Sequence, residues 1–153
     1  MQAPQPHRPA AGVHIHTGAP TLVFVTVKTR HRDPWLATPP IHTALRTVWR
    51  QATHWLVGDY LIMPDHVHFF CSPGRVDSDG DIERWLAYWK RLLHQSHQNP
   101  AWRFQSRGWH HRLRQGESYE NKWLYVQQNP VRAGLAKTPA DWPYQGRLFE
   151  LSL

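Results

Sequence analysis

The sequence predicts an α+β fold, an antiparallel sheet with ferredoxin-like (RRM-like) topology and helices packed on it. Three observations predict this class. Runs of β-branched and apolar residues, typical of strands, lie at residues 21–29, 59–71 and 109–113. Two segments between these runs, and a third after them, carry apolar residues at helical spacing. The resulting order is strand–helix–strand–strand–helix–strand and then a helix, which is the ferredoxin-like order with one helix added.

The size of the chain and its single cysteine limit the class of protein. With 153 residues, the chain is long enough for one domain with its own core. We expect a flexible arm at residues 1–19, rich in Pro, Ala, Gly and His, and one domain at residues 20–153. Cys71 alone excludes an internal disulfide and a cysteine-based zinc cluster. With no long apolar run and no apolar N-terminal leader, we expect a soluble, cytoplasmic protein.

The charge of the chain predicts a polyanionic partner. The formal net charge is +7 and the isoelectric point is about 10.1. Nucleic acid is the first candidate, because neutralising phosphates releases counterions. An acidic membrane is less favoured, since the chain has no amphipathic basic helix. Nine tryptophans could stack on unpaired bases, although most tryptophans in a small domain belong to its core.

The first predicted strand, at residues 21–29, places alternate valines on one face. Positive charges lie at the end of this strand, at Lys28, and in the loop that follows, at Arg30 and Arg32. These charges could contact phosphate or form a solvated rim, and the sequence favours neither reading.

The first two helices are predicted from apolar stripes at helical spacing. The first covers about residues 41–56 and ends before Gly58; its stripe is Ile41, Leu45, Val48, Ala52 and Trp55. The second runs to about residue 96, and Ser78 with Asp81 resembles a capping box at its start. Its stripe is Ile82, Trp85, Leu86, Trp89 and Leu93. Lys90 and Arg91 lie beside this stripe, as phosphate contacts or as ordinary surface charges.

The segment GDYLIMPDHVHFFCS, residues 58–72, is the central hairpin of the predicted sheet. Pro64 and Asp65 suit a tight turn between its two strands. Because side chains alternate along a strand, Val67, Phe69 and Cys71 share the buried face. His66 and His68 share the other face. Two neutral imidazoles held side by side on a strand can bind one divalent metal ion.

The His-x-His spacing is weak evidence by itself. With 12 histidines in 153 residues, chance supplies about one such pair. A second pair, His14 and His16, lies in a stretch rich in Pro, Gly and Ala. Only His66 and His68 lie on a strong strand candidate, so the metal prediction is confined to them.

The third helix is predicted to begin near Gly116 and Glu117. It is predicted to end at Gln128, because Pro130 disfavours helical geometry at Asn129. Its apolar stripe is Tyr119, Trp123 and Val126. At 100° per residue, Tyr125 lies about 130° from the centre of this stripe, on the same side as Asn129. An exposed tyrosine without a function is the alternative reading.

Three segments together resemble the REP-associated tyrosine transposases, in the single-tyrosine branch of the HUH endonucleases. They are MPDHVHFF (63–70), GWHHRLRQGESYENKWLYVQQNPVRAGL (108–135) and DWPY (141–144). The resemblance covers about residues 20–145. It is specific because the His-hydrophobic-His hairpin and the Tyr-x-x-x-Asn-Pro-Val-Arg-Ala-Gly segment are independent motifs.

The resemblance implies a metal-dependent single-stranded DNA endonuclease and strand transferase of the HUH fold. Tyr125 matches the nucleophile, which would form a 5′-phosphotyrosine intermediate. His66 and His68 match the ligands of Mg²⁺ or Mn²⁺, and Asn129 the amide ligand, with Gln128 as its alternative. The implied partner is single-stranded DNA with REP- or BIME-like hairpins. The implied setting is the bacterial nucleoid, with the chain acting as a monomer and a dimer left open.

Arg30, Arg32, Lys90 and Arg91 are the candidate nucleic-acid contacts. Arg132 is interpreted as structural, because its neighbours Val131 and Leu135 resemble core residues. A non-catalytic hairpin-binding protein derived from the same family would share the charge and the tryptophans. It would not require His66, His68, Tyr125 and Asn129 together. A histidine-rich metal-binding protein would explain the histidines but neither the charge nor the NPVRAG segment.

Overall fold

The computed structural model describes residues 21–74, 81–114 and 117–151. Within them, the strands are β1 (Val23–Lys28), β2 (Trp55–Met63), β3 (His66–Pro73), β4 (Trp109–Arg112) and β5 (Gln145–Arg147). The α-helices are α1 (Pro39–Gln51), α2 (Ile82–His97), α3 (Tyr119–Gln127) and α4 (Asn129–Arg132). Short 3-10 helices occupy Arg30–Arg32 and Pro139–Asp141. The predicted arm at residues 1–19 and the predicted capping residue Ser78 lie outside the described residues.

The five strands form one sheet in the order β4-β1-β3-β2-β5, and every pair of neighbours is antiparallel. The first four strands have the predicted ferredoxin-like arrangement, so the predicted fold class is confirmed. The sequence did not predict β5, which has only three residues and pairs with β2 through Asp59, Tyr60 and Leu61.

One face of the sheet packs against α1 and α2. The alternate valines of β1 and the predicted buried residues Val67, Phe69 and Cys71 all belong to this core. Each helix begins at a side-chain cap: Thr38 Oγ1 accepts from the amide of Ile41, and Asp81 Oδ1 accepts from the amide of Arg84. Such caps satisfy amides that have no partner within the helix.

The opposite face is covered by α3 and by the segment after α4. Its buried side chains are Leu22, Phe24, Leu61, Met63, Phe70, Val126 and Trp142. Both Phe70 and Phe24 are buried here, although the sequence assigned no core to this side. Since His66 and His68 alternate with Val67 and Phe69, they lie on this second face, beside α3.

Several predicted boundaries are corrected, and the first strand covers Val23–Lys28 rather than residues 21–29. The first helix ends at Gln51 rather than near residue 56, and Trp55 begins β2 instead. Trp55 is fully buried, and this is why it also fitted the helical stripe. The third helix begins at Tyr119, two residues later than predicted, with Ser118 as its cap. The fourth strand ends at Arg112 rather than at residue 113.

No helix among the described residues is long and apolar enough to cross a membrane.

Candidate functional site

The two histidines of β3 lie side by side. The ring centroids of His66 and His68 are 4.7 Å apart and the ring planes are inclined by 80°. This proximity follows from the strand, because residues two apart share a face. The two imidazoles therefore lie close together on one face of the sheet.

Each imidazole is held through its Nδ1 atom. Nδ1 of His66 lies 2.7 Å from Oδ1 of Asp65, and Nδ1 of His68 lies 2.8 Å from Oγ1 of Thr26. Neither Nε2 atom has a hydrogen-bond partner among the described residues. An imidazole whose Nδ1–H donates to a carboxylate or hydroxyl presents its Nε2 lone pair for metal binding, with its orientation fixed.

The surroundings keep both imidazoles neutral near pH 7. Burial, with smaller contributions from the charges of His66 and Lys122, lowers the pKa of His68 to about 3. Burial also lowers the pKa of His66, and the neighbouring Asp65 only partly opposes this effect. Burial alone would raise the pKa of Asp65. Hydrogen bonds from His66 and Arg32 have the larger combined effect, so the pKa of Asp65 is lowered. The His66–Asp65 contact therefore joins a neutral ring to a carboxylate, and neutral rings are what a metal requires.

Tyr125 projects from α3 with 68% of its surface exposed. Its phenol is therefore accessible to a ligand. The guanidinium of Arg132 lies over its ring, with Cζ 4.3 Å from the centroid, and Nη2 donates to the carbonyl oxygen of Tyr125 at 3.2 Å. The interpretation of Arg132 as structural rested on core-like neighbours, and one of them, Leu135, is 49% exposed. Val131, the other neighbour, is half-buried, so Leu135 alone departs from the core-like character that the sequence indicated.

Asn129 lies in the same cleft as His66. The cleft is open, has a volume of about 440 Å³, and is also lined by Asp65 and Arg132. The amide of Asn129 is already engaged: Nδ2 donates to the carbonyl of Val126 at 2.9 Å, and Oδ1 accepts from Arg132 at 3.1 Å. Gln128, the alternative third ligand, does not line this cleft.

The described residues contain no group of three His, Cys, Asp or Glu side chains arranged to hold a metal ion. A metal on His66 and His68 would therefore take its further ligands from an amide, from water or from a bound substrate. Asn129 lines the same cleft as His66, and its amide oxygen accepts a hydrogen bond from Arg132.

A network that the sequence analysis missed fastens α3 to the sheet. The hydroxyl of Tyr119 donates to Oδ2 of Asp59, and Arg147 Nε donates to Oδ1 of the same carboxylate at 3.0 Å. Asp59 is only 5% exposed. The available signal was a carboxylate inside an otherwise apolar strand, since a buried charge requires partners.

The four predicted basic contacts fall in two places. Arg32 pairs with Asp65 at 3.0 Å, at the turn that precedes His66. Arg30, Lys90 and Arg91 line a second cleft, of about 490 Å³, between α2 and the chain near Trp102. Lys90 Nζ donates to the carbonyl of Gln105 at 3.2 Å, and burial lowers the pKa of Lys90.

Comparisons with known proteins show a similarity in sequence and in fold. No family model matches the chain. The REP-associated tyrosine transposase of Escherichia coli (strain K12) is 29% identical over 125 residues, which cover 79% of this chain and 73% of that protein.

Solved structures share the fold. A structure of the REP-associated tyrosine transposase bound to a REP hairpin aligns with a TM-score of 0.66 and 21% identity, covering 94% of this chain and 82% of the other. A structure from Deinococcus radiodurans R1 aligns with a TM-score of 0.51 and 13% identity, covering 79% of this chain and 96% of that chain. The resemblance that the motifs indicated, to the REP-associated tyrosine transposases, is thus confirmed in sequence and in fold.

Proposed function

We propose that this chain is a metal-dependent single-stranded DNA endonuclease and strand transferase that forms a 5′-phosphotyrosine intermediate. One observation carries the proposal: Arg132 joins the exposed Tyr125 to the cleft of His66 and Asn129. An exposed phenol, a half-buried amide and two adjacent half-buried imidazoles have no shared structural task. Together they suit phosphodiester transesterification.

The residues present fit a divalent metal ion. His66 and His68 would hold it through Nε2, since both rings are neutral and fixed at Nδ1. The amide oxygen of Asn129 would complete the protein ligands. A bound Mg²⁺ or Mn²⁺ ion would supply Lewis-acid stabilisation of the charge on the scissile phosphate. Imidazole is softer than the oxygen ligands that magnesium prefers, so both ions belong in any test.

The chain's own residues would perform the attack. The phenol oxygen of Tyr125 forms a bond to phosphorus while the bond from phosphorus to the 3′ oxygen breaks. The phenol proton leaves to solvent, to which the side chain is open, and the departing 3′ oxygen takes up a proton. Arg132, over the ring, would stabilise negative charge on the phenolate and the phosphate. The new phosphotyrosine bond can be attacked by another 3′ hydroxyl, so rejoining requires no ATP.

The proposed partner is single-stranded DNA that carries REP- or BIME-like hairpins. The net charge of +7 and the cleft of Arg30, Lys90 and Arg91 support a polyanion. The similar transposase whose structure was solved with a REP hairpin supports the hairpin. The setting that we propose is the nucleoid of a bacterial cytoplasm, with the chain acting as a monomer.

The test is covalent capture of labelled DNA. Hairpin oligonucleotides from the DNA around the gene are incubated with the protein in Mg²⁺ or Mn²⁺, and the adduct is resolved under denaturing conditions. We expect an adduct with the wild type and none with Tyr125→Phe, which removes only the attacking oxygen. Tyr88→Phe, on the exposed side of α2, is the matched control and keeps the adduct.

A non-catalytic hairpin-binding protein is the second candidate function. The observation that favours it is the engaged amide of Asn129, whose oxygen accepts from Arg132. The same experiment separates the two functions. Hairpin binding by the wild type without an adduct in either metal would favour the binder, and an adduct with Tyr125→Phe would refute the assigned nucleophile.

A further inference from the structure

One tryptophan is placed differently from all the others. The chain has nine tryptophans, all of them within the described residues, and only Trp109 is an exposed one, at 43%. Exposing a large indole forgoes the apolar burial that the other tryptophans obtain. Trp109 is thus a candidate for contact with a ligand.

Trp109 lies in line with the candidate metal ligands. In the sheet register, Trp109 of β4 pairs with Thr26 of β1, and Thr26 pairs with His68 of β3. Directly opposed residues share a face, and neighbouring strands are about 4.8 Å apart. The backbones of Trp109 and His68 are therefore roughly 10 Å apart, and the two side chains lie on the same face of the sheet.

A cation lies over the aromatic ring that contacts both the indole and His68. The ring of Phe24 contacts both of them, with centroids 6.2 Å from Trp109 and 5.5 Å from His68. The ammonium of Lys122 lies over this buried ring, 4.7 Å from its centroid. Lys122 precedes Tyr125 by three residues on α3, so the two share a side of the helix. The surface thus runs from an exposed aromatic ring, past one positive charge, to the site.

We propose that Trp109 and Lys122 form a subsite for one unpaired nucleotide of the DNA strand, next to the scissile phosphate. The proposal rests on the proposed function, and it adds the path that the single-stranded flank of the DNA takes beside the site. The indole stacks on the base, and Lys122 neutralises the phosphate between that base and the scissile position. Stacking tolerates any base because every base has a π-face, so this subsite positions the strand without reading its sequence.

The charge beside the indole favours a nucleotide over an apolar protein side chain as the occupant. Lys122 supplies a positive charge, and the nearby carboxylate of Glu117 is already engaged by Nε2 of His111 at 3.1 Å and by the amide of Arg114 at 2.6 Å. His111 also stacks on the indole, with ring centroids 6.0 Å apart, and so packs against the indole of Trp109 from within the same strand. An anion with a flat apolar group matches this surface.

The test measures binding rather than cleavage. In a Tyr125→Phe background, the affinity is measured for hairpin oligonucleotides whose single-stranded flank carries one abasic site, moved one nucleotide at a time. We expect one position, or two adjacent ones, to weaken binding about tenfold, the effect of losing one stacked base. Adding Trp109→Ala should weaken binding of the intact DNA about tenfold and remove the dependence on that position, whereas Trp109→Phe should retain it.

The controls isolate stacking and charge. Tyr88→Ala removes another exposed aromatic residue, on α2, and should leave the positional pattern unchanged. Lys122→Gln should reduce the slope of log affinity against log salt by about 0.7, the value for one phosphate of a single strand.

The possible outcomes separate the subsite from the proposed function. A positional pattern that survives Trp109→Ala, an equal loss at every position, or an unchanged salt slope for Lys122→Gln would overturn the subsite. Failure of the wild type to bind any of the DNA would overturn both. A positional pattern that Trp109→Ala removes, without covalent capture in the earlier experiment, would support the subsite and refute the catalytic proposal.

Discussion

The guanidinium of Arg132 covers the ring of Tyr125, with Cζ 4.3 Å from the ring centroid, and also donates to Oδ1 of Asn129 at 3.1 Å. One side chain thus contacts both the proposed nucleophile and the proposed amide ligand. An arginine can do this because its planar fork stacks on a ring and donates in several directions.

This relationship predicts a strong effect of Arg132 on covalent capture. Arg132→Gln should slow adduct formation at saturating DNA by roughly 10²-fold or more, because it removes a donor aimed at developing negative charge. Arg132→Lys should recover only part of the rate, since an ammonium lacks the planar fork. The matched control is Lys137→Gln, an exposed residue that also loses one charge. Equal rates for Arg132→Gln and Lys137→Gln would show that Arg132 acts only through net charge.

Thr26 should tune metal affinity without being a ligand. Its hydroxyl lies 2.8 Å from Nδ1 of His68, and such second-sphere partners typically change metal affinity by about 10- to 100-fold. Thr26→Val keeps the shape and removes the hydroxyl, so we expect weaker Mn²⁺ binding by titration, with the fold intact. Thr43→Val, on the exposed side of α1, should bind as the wild type does. If His66 and His68 hold no metal, the two variants will be indistinguishable.

The sequence predicts more of the fold than of the candidate site. Alternation along residues 66–71 was sufficient to place His66 and His68 on one face and Val67, Phe69 and Cys71 on the other, because strand geometry leaves no other choice. The offset of Tyr125 from its apolar stripe likewise follows from helical periodicity, and the residue is exposed. Their roles as nucleophile and ligands stay predictions.

Contacts between distant segments could not be predicted in this way. Arg132 and Tyr125 are seven residues apart across a helix boundary, and Trp109 reaches the site only through the register of three strands. Local periodicity contains no information on such pairings. The predicted end of the first helix near Trp55 is wrong for a related reason. An apolar residue can fit a helical stripe and a strand equally well.

Acid should destabilise the protein through His68. Its pKa is lowered to about 3, below the value of 6.5 that is expected in the unfolded chain, so the unfolded state takes up the proton first as the pH falls. Stability should therefore be complete above about pH 6.5 and decline down to about pH 3. The loss from this residue is on the order of a few kcal/mol.

The measurement is urea denaturation between pH 7 and pH 4 with a chelator present. His68→Gln should lower stability at neutral pH but flatten the decline on acidification. His54→Gln, which changes an exposed histidine, should keep the slope of the wild type. An unchanged slope for His68→Gln would assign the acid sensitivity to other groups.

The contact between Asp59 and Tyr119 should determine how firmly α3 is held. Val126 is the one buried residue of this helix, and a helix of nine residues has little stability of its own, so the hydrogen bond to the sheet matters. Tyr119→Phe removes the hydroxyl and leaves one buried carboxylate oxygen with Arg147 as its remaining partner. We expect a loss of about 1–3 kcal/mol in the free energy of unfolding, the usual range for losing a hydrogen bond to a buried or charged acceptor. Tyr88→Phe, which removes an exposed hydroxyl, should cost less than about 0.5 kcal/mol.

Hydrogen exchange should also show faster opening of α3 in Tyr119→Phe, while the amides of β1 and β3 keep their protection. If α3 keeps the protection of the wild type, the hydrogen bond does not hold the helix, and packing of the Tyr119 ring on Phe70, with centroids 4.3 Å apart, is sufficient.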